Sequence, residues 1–325
     1  MPILESLHSR PLPRRPRAWA PSGARPFVVA LSLALGLATT ARAAEPLRWK
    51  FTKGETIHYS LVQNSENRMK SGTIESGSTV NQTSDVRWIV DDVSPDGVAK
   101  LTQIIDRVRV TLKAGDQPPF EFDSNDKDKA PEGLIAQQVT PVFKALAGFE
   151  CTLTMDPQGK IKEVSIPPKT LEALKGSIQG PMSNLFSEDA MKNMIAQSSL
   201  VLPEQALKAG ESWTDRSKLP VEQFGTIVTE KTYTLKDEAG ASGEVQIDLN
   251  AKMNVEAGES RQFTLEIKEQ KNEGRFTFDA AKGRIAGSHV EVRMVQLISA
   301  GANTSIEQTV ENTMEMKLGD GAPAK

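Results

Sequence analysis

The chain has 325 residues, of which 39 are Lys or Arg and 42 are Asp or Glu, so its formal net charge is −3. Its mean hydropathy of −0.37 excludes a polytopic helical membrane protein. A single Cys excludes an intrachain disulfide and a Cys-rich zinc module. Hydrophobic residues make up 38% of the chain, which is enough to build a packed core.

Residues 1–43 have the pattern of a secretory signal peptide. Basic residues precede the apolar run Phe27–Ala38, and Ala41 and Ala43 place small residues where a signal peptidase cleaves. We therefore predict an exported protein, periplasmic or extracellular, with an uncleaved anchor as the alternative. Cleavage removes six Arg and Glu5, which leaves 33 basic and 41 acidic residues and a net charge of −8. Such a chain is not expected to bind nucleic acid, and no membrane span is expected to remain.

The rest of the chain reads mainly as β-strands. Apolar residues alternate with polar ones from Val245 to Val255, which indicates a strand with one buried face. Residues 288–298 and 306–318 alternate in the same way, and Ala300–Asn303 between them predicts a long hairpin. The predicted fold class is α+β, mostly antiparallel β, with two related long-stranded curved sheets or half-barrels and a helical segment between them.

Similar motifs in the two halves of the chain suggest an internal repeat. Gly54-Glu55 corresponds to Gly210-Glu211 near the start of each half. Asp156…Gly159 corresponds to Asp279…Gly283, and these two are predicted to be equivalent hairpin turns with Gly at a positive φ. The predicted domain organisation is an N-terminal β half over 44–200, with helices near 134–147 (interrupted at Pro141), 168–180 and 187–197, then a C-terminal β half over 201–318 and a flexible tail over 319–325. The polar segment 117–131 is predicted to be a mobile loop.

The sequence offers few side chains for catalysis. After the signal only His58 and His289 remain, both in predicted strands, and neither lies near a nucleophile motif. Cys151 also lies in a strand and is expected to be buried and inert. Asp123, Asn125, Asp126 and Asp128 depart from the EF-hand pattern, so a solvated loop is the preferred interpretation. No catalytic, metal or cofactor-binding residue is predicted, and the chain is not expected to be an enzyme.

One group of side chains could bind a ligand. The predicted inward faces of the second half gather flexible thioethers and branched apolar groups, which suit an adaptable apolar ligand. The members of this possible apolar ligand face are Met253, Met294, Met314, Met316, Val292 and Ile306. The alternative is an ordinary sheet core that the helices close.

Two segments carry a resemblance to a known family. Leu47–Thr56 and Leu202–Trp213, each with a Gly-acid turn and an aromatic residue nearby, resemble a domain-of-unknown-function family of exported bacterial proteins of planctomycete type. That resemblance implies no activity and no site residues. Curved sheets with helices also look like the half-barrels of periplasmic lipoprotein carriers, at the level of fold alone.

Two functional hypotheses follow. The first is a non-enzymatic exported binding or envelope-associated structural module. The second is a periplasmic carrier that holds a lipid or other apolar ligand between the curved sheet and the helices. The expected partner is accordingly an apolar ligand or an envelope protein, and no cofactor is expected.

Overall fold

A computed structural model describes residues 45–126, 133–177, 187–221, 225–237, 243–258, 263–300 and 304–319. The predicted signal peptide, the hairpin turn at 301–303 and residues 320–325 lie outside this range. Gly319, predicted to begin the flexible tail, donates its N–H to the carbonyl of His58 at 2.9 Å. None of the helices among the described residues is long and apolar enough to cross a membrane.

The described residues form twelve strands and three helices. In chain order these are β1 (Thr56–Ser71), β2 (Ile74–Val93), β3 (Ala99–Ala114), β4 (Phe120–Asp123), α1 (Gly133–Leu146), β5 (Glu150–Met155), β6 (Ile161–Ser165), α2 (Pro168–Ser177), α3 (Glu188–Gln197), β7 (Ser212–Val221), β8 (Gly225–Leu235), β9 (Glu244–Ala257), β10 (Phe263–Asp279), β11 (Arg284–Ala300) and β12 (Thr304–Leu318). The mostly antiparallel β prediction is confirmed, as are the strands at 288–298 and 306–318 and the presence of helices. Residues 178–180, predicted to end the second helix, lie outside the described range.

All twelve strands belong to one open, curved sheet. Its order is β6-β5-β3-β2-β1-β12-β11-β10-β9-β8-β7, and β4 adds to β3. The prediction of two sheets is wrong because the first and last strands of the sequence pair with each other, from Tyr59 opposite Leu318 to Lys70 opposite Glu307. This pairing connects the two halves of the chain through a continuous backbone ladder.

The alternation of side chains gives the sheet two chemically different faces. We call the face that carries Tyr59, Val108, Leu153, Ile247 and Phe278 the inner face, because all five side chains are buried there. Cross-strand partners share a face, so the register assigns every other paired residue to one face or the other. The remaining face is the outer face.

The buried core lies at one end of the inner face, which we call the closed end. It combines residues from both halves of the chain, including Trp49, Leu101, Met155, Leu235 and Phe278. Helix α3 packs on both edge strands, β6 and β7. The Gln197 side chain at the end of α3 donates to the carbonyl of Lys218 on β7 at 3.1 Å. A helix therefore bridges the two sheet edges here, and the opposite ends of the long strands form the open end.

Helix α1 covers a second, smaller core. Phe143 stacks on Phe120 and Phe122 of β4, with ring centroids 6.4 and 5.9 Å apart, above the buried side chains of Val108 and Val110. The prediction that 117–131 is a mobile loop is thus wrong for Phe120–Asp123, which forms β4; residues 127–131 lie outside the described range. Pro141, predicted to interrupt α1, lies within a continuous helix.

Two hairpin turns close around the segment before β1. Gly159 and Gly283 both have positive φ, of 90° and 63°, so the turn prediction is confirmed at both positions. The N–H of Trp49 donates to the carbonyl of Pro157 at 2.8 Å, and that of Lys50 donates to Gly283 at 2.9 Å. The segment is therefore held between matching turns of the two halves. A duplication of the halves themselves remains a prediction.

Strands β9 and β10 separate towards the open end. Their register runs from Asp279 opposite Glu244 to Asn272 opposite Ala251, and no described pair lies beyond that point. There the Gln270 side chain replaces a backbone partner for Met253. Its Oε1 accepts the Met253 N–H at 2.7 Å, and its Nε2 donates to the Met253 carbonyl at 2.8 Å.

Candidate functional site

The six residues of the predicted apolar face lie on the inner face of the sheet. Met314 stands opposite Val290, Met294 opposite Val310, and Ile306 opposite Ile298 in the β11–β12 register. Met253 stands opposite Thr229 on β8, in the alternation that includes the buried Ile247. The structure therefore brings together side chains from β9, β11 and β12 that are up to 63 residues apart in the sequence.

These side chains are only partly covered. Met314 is 38% exposed, and the other five are half-buried. Only Met316 packs against the core of the closed end. The helices pack mainly elsewhere, α1 on β3 and β4 and α3 on β6 and β7. The expected placement of a ligand between sheet and helices is therefore not supported, because the predicted face lies nearer the open end.

The inner face is uncharged over most of its width. The registers of β1, β2, β3, β9, β10, β11 and β12 place no Asp, Glu, Lys, Arg or His on it among the described residues. Towards the sheet edge, Lys231 of β8 faces Asp215 of β7, with Nζ and Oδ2 3.9 Å apart. Lys231 also donates to the Gln197 carbonyl at 2.8 Å, and burial lowers its pKa.

The outer face carries the charges instead. Ion pairs join neighbouring strands there, including Arg275 with Asp248 at 2.8 Å and Arg293 with Glu311 at 3.3 Å. Such exposed pairs contribute little to stability individually. These pairs give the sheet a water-compatible outer surface, opposite an inner surface whose charges, among the described residues, lie towards the β7 edge. Such a distribution is typical of a sheet that buries one face.

Amide side chains on the inner face were missed by the sequence reasoning. Gln296 donates to Gln308 Oε1 at 2.7 Å, and Gln308 donates to Asn67 Oδ1 at 2.6 Å, so a chain of amides crosses β11, β12 and β1. The sequence of β12 does place these amides: Gln308 and Asn312 occupy even positions, like Met314, and charged or hydroxyl residues occupy the odd positions between them. The alternation therefore predicts that both amides share a face with Met314.

Two amide oxygens of this face lack partners. Asn272 Oδ1 and Asn312 Oδ1 are buried and accept no hydrogen bond from the described residues. The Asn272 Nδ2 donates to the Ala251 carbonyl at 3.3 Å and to Gln270 Oε1 at 3.1 Å. These bonds fix the orientation of the amide and leave Oδ1 as the unpaired acceptor.

The other residues considered for chemistry lie apart from one another. His58 lies on β1, and His289 lies exposed on the outer face of β11, with its Nε2 3.0 Å from Glu291 Oε1. Cys151 is fully buried, and burial together with the Glu150 charge raises its thiol pKa to about 11. Asp123, considered for calcium, pairs with Arg107 at 2.7 Å. Among the described residues no three His, Cys, Asp or Glu side chains are placed to hold a metal ion.

A polar cleft of about 390 Å³ lies on the outer face over β1 to β4. Arg109 and Asp123 contribute to its wall. Both are already paired, Arg109 with Asp85 at 3.1 Å and Asp123 with Arg107. The cleft is therefore built from structural ion pairs, and the inner face is the better candidate for ligand binding.

Comparison with known proteins identifies one family. A family described as "Family of unknown function (DUF6263)" matches residues 96–285, more than half of the chain. The match includes Leu202–Trp213, one of the two segments on which the resemblance to a domain of unknown function rests, and excludes Leu47–Thr56. No curated protein matches the chain.

Solved structures give weak likenesses. A structure described as lipid–protein interactions in lipovitellin is 12% identical with a TM-score of 0.46, and the alignment covers 85% of this chain and 26% of that one. The chain thus spans about a quarter of the length of lipovitellin. The COG4313 outer membrane channel from Pseudomonas putida F1 is 9% identical with a TM-score of 0.25, covering 83% and 97%. OpdL of Pseudomonas aeruginosa is 8% identical with a TM-score of 0.23, covering 81% and 99%. None of these likenesses bears on function.

Proposed function

The chain belongs to the family of unknown function DUF6263, and we propose that it is an exported, non-enzymatic binding protein that takes an apolar ligand on the inner face of its sheet. The observation that carries this proposal is the half-exposed, uncharged inner face that bears Met253, Met294 and Met314 opposite a charged outer face. Export is supported by the signal-like pattern of residues 1–43.

Physical chemistry favours occupation of this face. Removing apolar surface from water contributes roughly 25 cal/mol per Å², and a half-covered group of apolar side chains gains this only when something else covers it. Methionine side chains adapt their shape at little cost, which suits ligands of variable form. On the inner face of β1 to β3 and β9 to β12 the described residues carry no charges, so an apolar ligand there avoids the desolvation penalty that a charged wall would impose.

The non-enzymatic part of the proposal is supported by the placement of the reactive groups. Cys151 is buried with a raised thiol pKa, and His289 lies on the outer face beside carboxylates. Cys151 shares the inner face with Leu153 but is fully buried in the core of the closed end, and His289 lies on the opposite face, so neither is placed to act on a ligand held beside Met294 and Met314.

The test is to purify the protein from a cell-envelope fraction and record its native mass spectrum before and after delipidation. We expect a co-purifying mass that delipidation removes, and binding of the uncharged dye Nile red by the delipidated protein. Finding neither a bound mass nor dye binding would contradict the proposal and favour a purely structural role in the envelope.

A further inference from the structure

We propose that the ligand of the inner face is an uncharged amphiphile whose polar end donates hydroxyl hydrogen bonds to Asn272 and Asn312. This inference rests on the proposed binding function and names the chemical class of the ligand. Its starting point is the pair of unpaired amide oxygens on the inner face, where the other amides described above have partners.

Asn272, Val292 and Asn312 stand side by side on three neighbouring strands. Asn272 is opposite Val292 in the β10–β11 register, and Val292 is opposite Asn312 in the β11–β12 register. Neighbouring strands are about 4.8 Å apart, so the two Asn backbones are about 10 Å apart across Val292. Met294 and Met314 lie one register step to either side of this row. Two acceptors thus lie between two flexible apolar side chains.

Both oxygens are in surroundings where an unpaired acceptor is unfavourable. Asn272 is 5% exposed, and buried polar atoms in folded proteins nearly always have a partner. The Asn272 Nδ2 is held by Ala251 and Gln270, so the amide cannot turn its oxygen towards those groups without losing both bonds. A group bound above the row would supply the donors that both oxygens lack.

An amide oxygen only accepts, so the ligand must supply donors. Carboxylate and phosphate groups are themselves acceptors and could not satisfy the two unpaired oxygens, and in the part of the chain that the structure describes β10, β11 and β12 place no cation on the inner face. Lys231 lies in the same row, beyond Ala251, but it already bonds the Gln197 carbonyl and faces Asp215. A cationic group would find no carboxylate of the described residues on the inner face beside Asn272 or Asn312. A neutral hydroxyl is therefore the donor that fits.

The test compares three ligands with the same acyl chain on the delipidated full-length mature protein. Monooleoylglycerol carries two hydroxyl donors, methyl oleate carries none, and oleate carries a charge. We expect monooleoylglycerol to bind about tenfold more tightly than either of the others, in competition with Nile red, as two hydrogen bonds of ordinary strength would give.

Substitutions of Asn312 test whether its amide causes the preference for monooleoylglycerol. Asn312→Leu should bind methyl oleate as the unchanged protein does and lose most of the preference for monooleoylglycerol, while Asn312→Ser, which keeps an acceptor, should retain part of it. Thr313→Leu is the matched control on the same strand, because Thr313 lies on the outer face opposite Glu291; its preference should not change. Far-ultraviolet circular dichroism and thermal unfolding establish that each variant folds.

The outcomes separate the two proposals. Equal binding of monooleoylglycerol and methyl oleate, or an unchanged preference in folded Asn312→Leu, would overturn the hydroxyl inference and leave the binding function standing. Tightest binding of oleate would also overturn it and would indicate Lys231 as the recognition group. Failure of all three ligands and of Nile red would contradict the binding function itself.

Discussion

Gln270 stabilises the point at which two neighbouring strands separate. Its amide pairs with both the N–H and the carbonyl of Met253, at 2.7 and 2.8 Å, and so continues the β9–β10 ladder with a side chain. Gln270→Ala leaves both backbone groups without these partners. Because an unsatisfied buried polar group costs about 1–3 kcal/mol, we expect the free energy of unfolding to fall by roughly 2 kcal/mol in urea denaturation.

The matched control is Gln296→Ala on the inner face of β11. Gln296 donates to a side chain, Gln308, and supports no backbone ladder. We expect a loss of at most about 1 kcal/mol. Equal losses for the two variants would contradict the role given to Gln270.

The pairing of Asp123 with Arg107 makes folding stability depend on pH in the acidic range. The Arg107 hydrogen bond, opposed by partial burial, holds the carboxyl pKa of Asp123 below its ordinary value. A carboxyl with a lower pKa in the folded state contributes stability above its unfolded pKa of about 3.9 and loses it as the pH falls through the folded pKa. We expect Asp123→Asn to be less stable at pH 7 by on the order of 1 kcal/mol.

Urea denaturation of both proteins between pH 2 and pH 7 measures this effect. The two curves of unfolding free energy against pH should converge below about pH 4. A constant difference across the whole range would mean that the carboxyl pKa is not shifted by folding. Asp126→Asn, in the same segment, is the control. Its unfolding free energy should stay close to that of the unchanged protein.

At the scale of elements, the turn between β5 and β6 depends on close approach to the segment before β1. A Cβ at Gly159 would overlap the indole Nε1 of Trp49 and the carbonyl of Leu200, and the residue has a φ of +90°. Gly210 has nearly the same φ, +88°, with no atom within 4 Å of such a Cβ. This pair separates the steric effect from the backbone effect.

We expect Gly210→Ala to cost about 1 kcal/mol, the penalty for an L-residue at positive φ. Gly159→Ala should cost at least about 3 kcal/mol, because the added methyl group must also displace Trp49 from the core. Thermal unfolding of both variants measures the difference. Similar losses would show that Trp49 moves without cost and that the turn does not hold the segment.

The elements that could be predicted were those with a strong local signal. The strict alternation of Val245–Val255 and the paired alternation of β11 and β12 predicted these strands, and the Ser187 cap with acidic residues after it predicted α3. Strand β4 was missed because Pro118-Pro119 and a run of Asp residues surround it. Its pairing with β3 depends on the packing of Phe120 and Phe122 under α1, which the local sequence does not contain.

The candidate site was predictable only in part. Side-chain alternation placed Met253, Met294 and Met314 on one face of their strands. The unpaired oxygens of Asn272 and Asn312 could not be found, since they depend on which residues stand opposite each other across strands. Register of that kind is a property of the assembled sheet.

At the scale of the whole molecule, the pairing of β1 with β12 determines the architecture. This pairing joins residues about 250 positions apart in the sequence, such as Leu61 and Met316. It converts two expected sheets into one with a continuous inner face and outer face. The charges are on one side and the amides and methionines on the other, which is the arrangement that the binding proposal requires.

The most direct measurement compares Nile red binding by Val292→Lys and Val295→Lys. Both residues are half-buried on β11, but Val292 lies on the inner face between Asn272 and Asn312, and Val295 lies on the outer face opposite Thr309. A lysine on the inner face desolvates a charge when the ligand binds, so we predict an affinity loss of about tenfold or more for Val292→Lys and an unchanged affinity for Val295→Lys. Equal effects of the two substitutions, or a loss confined to Val295→Lys, would contradict binding on the inner face.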